Sequence, residues 1–164
     1  MERPNWDEFF FELAFVYASR GTCDRLRTAC VLVNKNHALI GTGYNGSVPG
    51  TEHCDDVGHL MVDNHCVRTL HGEENAILHC SEDLQGATAY ILGTPCIDCL
   101  KKLLAKGVKT IKYAGEYSNS KGGDIIKNLT KETGAELIKC DIDFEKLHQN
   151  ILEIHRSPGG RLQK

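Results

Sequence analysis

The sequence predicts a three-layer α/β/α sandwich around a mixed, largely parallel five-stranded sheet. Three observations carry this. Strand-like and helix-like segments alternate through the second half of the chain, and parallel strands need such crossovers. Two short β-prone runs near the start are close enough to pair as an antiparallel hairpin. The chain has 164 residues, 41% of them hydrophobic, which suits one core rather than two. At this length about 70% of the unfolded chain's surface can be buried, so neither disulfides nor metal are needed merely to hold a core.

The elements follow in order. Residues 5–19 place Phe9, Leu13, Val16 and Tyr17 near one helical face, with Asn5 or Asp7 as N-cap and Gly21 beyond the end. Residues 29–33 and 38–44 are the hairpin strands, joined through Asn34-Lys35-Asn36-His37. From 45 to 69 the chain lacks periodicity and is rich in Gly, Asp, His and Cys. A loop that long is uncommon unless it is functional or tied down. A helix at 71–80, a strand at 87–92, a helix at 96–106 and a strand at 109–114 come next. A helix at 122–132, a strand at 135–140 and a helix at 143–155 complete a single domain over 1–156, with a flexible C-terminal tail over 157–164.

Composition excludes some function classes. The net charge of -3 argues against a broad basic face, so nucleic acid is not an expected partner. No apolar run reaches about 18 residues, and acidic residues stand in the first eleven positions where a signal peptide would be basic, which predicts a cytoplasmic protein with no membrane partner. Eight cysteines and eight histidines are many for such a chain. In a reducing compartment that surplus points to metal or catalysis before disulfides.

The chemistry concentrates at two predicted helix starts. His71-Gly72-Glu73 opens one, and Pro95-Cys96-Ile97-Asp98-Cys99 opens the other, with one strand between them. One imidazole and two thiolates make three zinc ligands and leave a fourth tetrahedral position open, the arrangement of a catalytic site. Helix N-termini favour thiolate over thiol, and proline is tolerated in a first helical turn. Glu73, two residues after His71, is placed as a proton shuttle beside the metal. The order His-x-Glu, then Pro-Cys-x-x-Cys, is the pattern of zinc deaminases, in which metal-activated water attacks a ring carbon.

Here the chain resembles the cytidine deaminase superfamily, and more closely the deoxycytidylate (dCMP) deaminase family, including its bacterial competence-operon and phage members. The resemblance runs from about Trp6 to Tyr117. It takes in Gly43-Tyr44-Asn45-Gly46, Pro49-Gly50, His53-Cys54-Asp55-Asp56 and His65-Cys66-Val67-Arg68-Thr69-Leu70-His71. The chain departs from the family at Gly72, where alanine is usual, and at Ala29-Cys30, where Gly-Ala is usual; Cys30 would slightly reshape the floor of the site.

The resemblance implies a cytidine deaminase-like fold and hydrolysis of dCMP to dUMP with release of ammonia. His71, Cys96 and Cys99 would hold the catalytic zinc and Glu73 would shuttle protons. Asn45 would hydrogen-bond the deoxyribose, and Tyr117 would close over the base. Gly43 and Gly46 would let backbone approach the ligand closely. A second, structural zinc would be held by Cys23, Cys54, Cys66 and His65, with His53 as the other candidate for the fourth ligand, pinning the 45–69 loop. The resemblance also implies a homo-oligomer, a hexamer, activated by dCTP with magnesium and inhibited by dTTP.

Other residues are weighed on chemistry alone. A 5′-phosphate dianion demands bidentate cationic donors, and Arg25 and Arg68 rank first by position, with Arg27 and Lys121 behind. Cys30, Cys80 and Cys140 are expected as core thiols. His37, His59, His79, His148 and His155 show no metal-like spacing and are expected as surface or core residues. The rival activities are a dCTP-accepting enzyme, free cytidine deamination, the riboflavin-pathway deaminase and tRNA adenosine deamination, the last disfavoured by the acidic balance. From another class comes a catalytically inactive, zinc-stabilised interaction module, against which Glu73 weighs.

Overall fold

The structure, a computed structural model, describes residues 2–116, 122–157 and 159–160. The chain opens with α1 (Trp6–Ala18). Asn5 caps it by accepting from the Glu8 backbone N–H, and Glu8 Oε2 accepts from the Asn5 N–H in return. β1 (Ala29–Val33) and β2 (Leu39–Tyr44) form the expected antiparallel pair.

The stretch expected as an irregular loop is built from small elements instead. They are β3 (Gly46–Ser47), a single helical turn α2 (Cys54–Val57), β4 (Met61–Val62), β5 (His65–Cys66) and β6 (Thr69–Leu70). β3 pairs with β6 and β4 with β5, both antiparallel. Two-residue ladders are too short to leave a periodic signal in sequence. The remaining elements are α3 (Gly72–Leu78), β7 (Thr88–Ile91), α4 (Ile97–Ala105), β8 (Thr110–Tyr113), α5 (Gly123–Glu132), β9 (Glu136–Lys139) and α6 (Phe144–Arg156). All but the last residue of α6 fall inside the expected spans.

The central sheet has the order β2-β1-β7-β8-β9. β1 is antiparallel to both its neighbours, and β7, β8 and β9 run parallel, so β1 alone opposes the other four strands. β1 is buried at every residue, and strand alternation divides it between two cores. Cys30 and Leu32 pack with Ala76, Leu100, Leu103 and Ile126 beneath α3, α4 and α5. Val31 and Val33 pack with Phe10, Phe11 and Ala14 of α1 and with Tyr90 on the other face. Burying each such large side chain contributes about 1.5–3 kcal/mol. The expected three layers result.

α3 lies unusually close to β2. A Cβ at Gly43 would stand 2.2 Å from Ala76 N and 2.3 Å from Gly72 O. Gly43 therefore admits a helix backbone, not the ligand that the sequence suggested. Gly72 is also constrained, because a Cβ there would lie 3.1 Å from Ala29 Cα and from Gly43 O. This seating sets the height of α3, which carries Glu73, over the sheet.

Candidate active site

His71 is the N-cap of α3, and Cys96, just after Pro95, is the N-cap of α4, with Cys99 in that helix's first turn. α3 packs against β1, β2 and α4, which brings the two caps together. His71 Nδ1 lies 3.5 Å from Cys96 Sγ and 3.4 Å from Cys99 Sγ. In a tetrahedral zinc site with Zn–S near 2.3 Å and Zn–N near 2.0–2.1 Å, an S···N edge measures about 3.6 Å. The donor spacing fits that ion. Three protein donors leave one position for water or substrate.

The electrostatics suit a cation. Contact with the Cys99 thiol, and then with His71, brings Cys96 down to about 4 despite its burial. The Cys96 sulfur in turn raises His71 to about 9, while the same sulfur and burial push Cys99 up. Both shifts favour an anionic sulfur beside the imidazole. The N–H of Cys99 also points at Cys96 Sγ, 3.4 Å away, as expected of a thiolate at a helix N-terminus.

Glu73 is 4% exposed, and burial raises its carboxyl above the ordinary range. It lines a small cavity of about 40 Å³ together with Leu26, Thr28, Asn45, His71 and Cys96. Asn45 Oδ1 accepts from Gly72 N at 2.7 Å, and its Nδ2 donates to Leu26 O at 3.2 Å. One amide N–H is left over for a ligand. The carboxamide thus ties the first turn of α3 to the strand approach opposite, a role the residue's type alone did not reveal.

A second cluster lies under the 45–69 stretch. Ligand atoms of Cys23, Cys54, His59 and Cys66 all fall within 4.8 Å of one another. Cys54 and Cys66 Sγ are 3.5 Å apart, and Cys23 Sγ is 3.6 Å from His59 Nδ1. Burial and the Cys66 contact push Cys54 up to about 12; against burial, hydrogen bonds from the Arg68 backbone and Cys54 bring Cys66 down to about 7. His59 takes the fourth position, not His65 or His53. His65 precedes Cys66 in β5, and successive strand side chains point to opposite faces, so His65 is exposed. His53 is the exposed N-cap of α2. His59 had no metal-like spacing in sequence because α2 is one turn, ended by Gly58 at φ 81°, and this reversal returns His59 toward Cys54. A Cys followed five residues later by His, with Gly just before the His, was the available signal.

The arginines have other partners. Arg25 Nη2 donates to Asn64 O at 3.2 Å, and Arg68 Nε donates to Gly58 O at 3.2 Å. Both brace the 45–69 insertion between β2 and α3, and neither lines the Glu73 cavity. Arg27 bonds Gly21 O and pairs with Asp55. Tyr117 and Lys121 lie outside the described residues. Cys30 is a fully buried core thiol, while Cys80 and Cys140 are half-buried against the two cores.

The chain matches the cytidine and deoxycytidylate deaminase zinc-binding region over residues 4–115, a span that holds both donor clusters. It belongs to that deaminase family. ComE operon protein 2 of Bacillus subtilis is 38% identical over 146 residues, covering 87% of this chain and 75% of that protein. The deoxycytidylate deaminase of Mycobacterium phage D29 is 35% identical over 129 residues, covering 71% of this chain and 99% of that protein. Among solved structures, the dCMP deaminase of cyanophage S-TIM5 in complex with dCMP and dUMP superimposes with a TM-score of 0.70 at 25% identity, covering 85% of this chain and all of that one. This deaminase-family chain has no helix among its described residues that is long and apolar enough to cross a membrane.

Proposed function

We propose that the chain catalyses zinc-dependent hydrolysis of dCMP to dUMP and ammonia, supplying the precursor of dTMP. The observation that carries this is the buried Glu73 carboxyl in one small cavity with His71 and Cys96, beside Cys99. The phage and cyanophage relatives support the choice of substrate.

His71, Cys96 and Cys99 would hold the zinc, which would supply the Lewis acidity that makes a water nucleophilic near neutral pH. Glu73 takes one proton from the attacking water and passes it to ring N3. It then takes the water's second proton from the C4 hydroxyl and delivers it to the amine, which departs as ammonia as the C4 carbonyl forms. Burial, by raising the Glu73 pKa, makes it a better proton acceptor than an exposed carboxylate while leaving it able to return the proton. Asn45 holds Leu26 and Gly72 at their spacing, and its spare N–H is the donor offered to the sugar. Tyr117 closing over the base rests on family membership alone.

We infer that Cys23, Cys54, His59 and Cys66 hold a second zinc. Four donors complete a tetrahedron, so this site is structural and pins the insertion. Family membership also supports a homohexamer, activation by dCTP with magnesium, inhibition by dTTP, and a cytoplasmic location. Exposed Leu60, Val62 and Leu78 offer apolar surface for subunit contact.

The test is the loss of ultraviolet absorbance with dCMP, dCTP, deoxycytidine and cytidine offered separately. The fastest turnover is expected with dCMP. Preference for dCTP moves the substrate assignment, and turnover of none of them overturns the reading in favour of an inactive zinc-stabilised module.

A further inference from the structure

Thr28 is 6% exposed, and among the described residues its buried Oγ1 has no hydrogen-bond partner. Buried hydroxyls are nearly always paired, so an orphan of this kind calls for a partner that folding does not supply. The other buried orphan, Glu12 Oε2, belongs to α1 and does not line the catalytic cavity. Thr28 does line it, with Glu73, His71 and Cys96 as fellow lining residues.

The position of Thr28 is rigid. Its carbonyl accepts from Asn45 N at 3.1 Å, and the next residue, Ala29, pairs with Tyr44 across the β1–β2 ladder. The nearby acceptor Leu26 O is already taken by Asn45 Nδ2. Glu73 is the neighbouring acid, and the proton work occupies it.

What enters this cavity follows from the proposed reaction, on which this inference rests: the edge of a cytosine ring. That edge carries three polar atoms. The amine on C4 is the leaving group, and N3 is served by Glu73. The C2 carbonyl oxygen remains, and it accepts only, whereas a threonine hydroxyl can donate. We propose that Thr28 is a substrate-binding residue whose hydroxyl donates to the C2 carbonyl of the pyrimidine. The hydroxyl that is unpaired in the free protein becomes paired when the base is seated.

The test uses Thr28→Val, which removes the hydroxyl at nearly constant shape, Thr28→Ser, which restores it, and 2-thio-dCMP, whose sulfur is a poor acceptor. Thr28→Val is expected to keep its zinc and melt no lower than the parent, because it loses an unpaired group. Its kcat/KM for dCMP is expected to fall roughly threefold to tenfold, with most recovered in Thr28→Ser. The 2-thio substitution is expected to cost the parent a similar factor and Thr28→Val nothing more. Full kcat/KM in Thr28→Val, additive losses with the thio substrate, or a drop in Tm or zinc that accompanies the loss of activity would each overturn the assignment. If the parent deaminates no cytosine nucleotide, the proposed reaction fails separately. Calorimetric binding of dUMP, which keeps the C2 carbonyl, then decides: affinity at least threefold tighter in the parent supports the Thr28 contact, and equal or absent binding overturns it.

Discussion

Asp24 Oδ1 lies 3.2 Å from His59 Nε2, while the other ring nitrogen of His59 lies 3.6 Å from Cys23 Sγ. The imidazole is thereby held at both ends. A carboxylate on one ring nitrogen fixes the tautomer and leaves the other free to bind metal, the usual outer-shell arrangement of metal-ligating histidines. Cys23 and Asp24 are adjacent in sequence, so one short stretch of backbone supplies both the donor and the orienting group. Asp24→Ala is expected to weaken zinc at this cluster by about 10–100-fold, read by competition with a chromophoric chelator. The zinc at His71, Cys96 and Cys99 should keep its affinity.

Two donor groups imply about two zinc ions per chain in protein purified without added metal. Cys54→Ser should reduce this to about one and lower the melting temperature, because the insertion loses its clamp. Cys99→Ser should also leave about one, but abolish turnover. Elemental analysis beside a thermal melt separates these outcomes.

Glu73→Gln removes a proton carrier from a buried position without changing its size. Zinc content and fold should be unchanged, and kcat should fall at least about 10²–10⁴-fold. Burial already raises the pKa of this carboxyl, so a neutral amide carries little stability cost. Near-normal turnover in this variant would remove the proton-shuttle role.

Gly43→Ala would place a methyl group 2.2 Å from Ala76 N, against helix backbone that cannot yield cheaply. Destabilisation of about 1–3 kcal/mol or more is expected from a shifted urea midpoint, together with lost activity, because α3 carries both His71 and Glu73. Gly123→Ala is the control. Its Cβ meets nothing within 4 Å, and stability should hold or improve by a few tenths of a kcal/mol, about what helix propensity allows.

Asn45→Ala would leave the Gly72 N–H buried and unpaired, at a cost of about 1–3 kcal/mol. The activity loss should exceed what the lost stability explains, since Asn45 also lines the cavity with one carboxamide N–H that the fold does not use. Comparing kcat/KM for dCMP with a denaturation curve well below the melting temperature checks this.

Much of the site was legible because its signals are local. His71 and Cys96 are helix caps, and a cap announces itself through its neighbours: Gly72-Glu73 after one, Pro95 before the other. Cys99 follows by helix geometry. The long elements were legible for the same reason, since hydrophobic periodicity is a property of one segment at a time. The insertion was not, because β3 to β6 are each two residues long and α2 is a single turn. The fourth member of the second cluster is His59 rather than the His65, or His53, that the family resemblance implied, because strand alternation turns His65 away from Cys66. Arg25 and Arg68 were legible as charges, but that each gives one donor to a backbone carbonyl, of Asn64 and of Gly58, was not.

By itself, the sequence determined the layer architecture, the grouping of His71 with Cys96 and Cys99 and the deaminase family, because periodicity and capped motifs need only neighbours along the chain. The tertiary structure alone decided that His59 joins Cys23, Cys54 and Cys66, that Gly43 seats a helix, that Asn45 ties that helix to the cavity wall, and that Thr28 is left with an unpaired hydroxyl. Each of these depends on which groups meet across the fold and on which hydrogen bonds are already taken. A side chain's type states what it can donate or accept, and only its packed surroundings state what remains for a ligand.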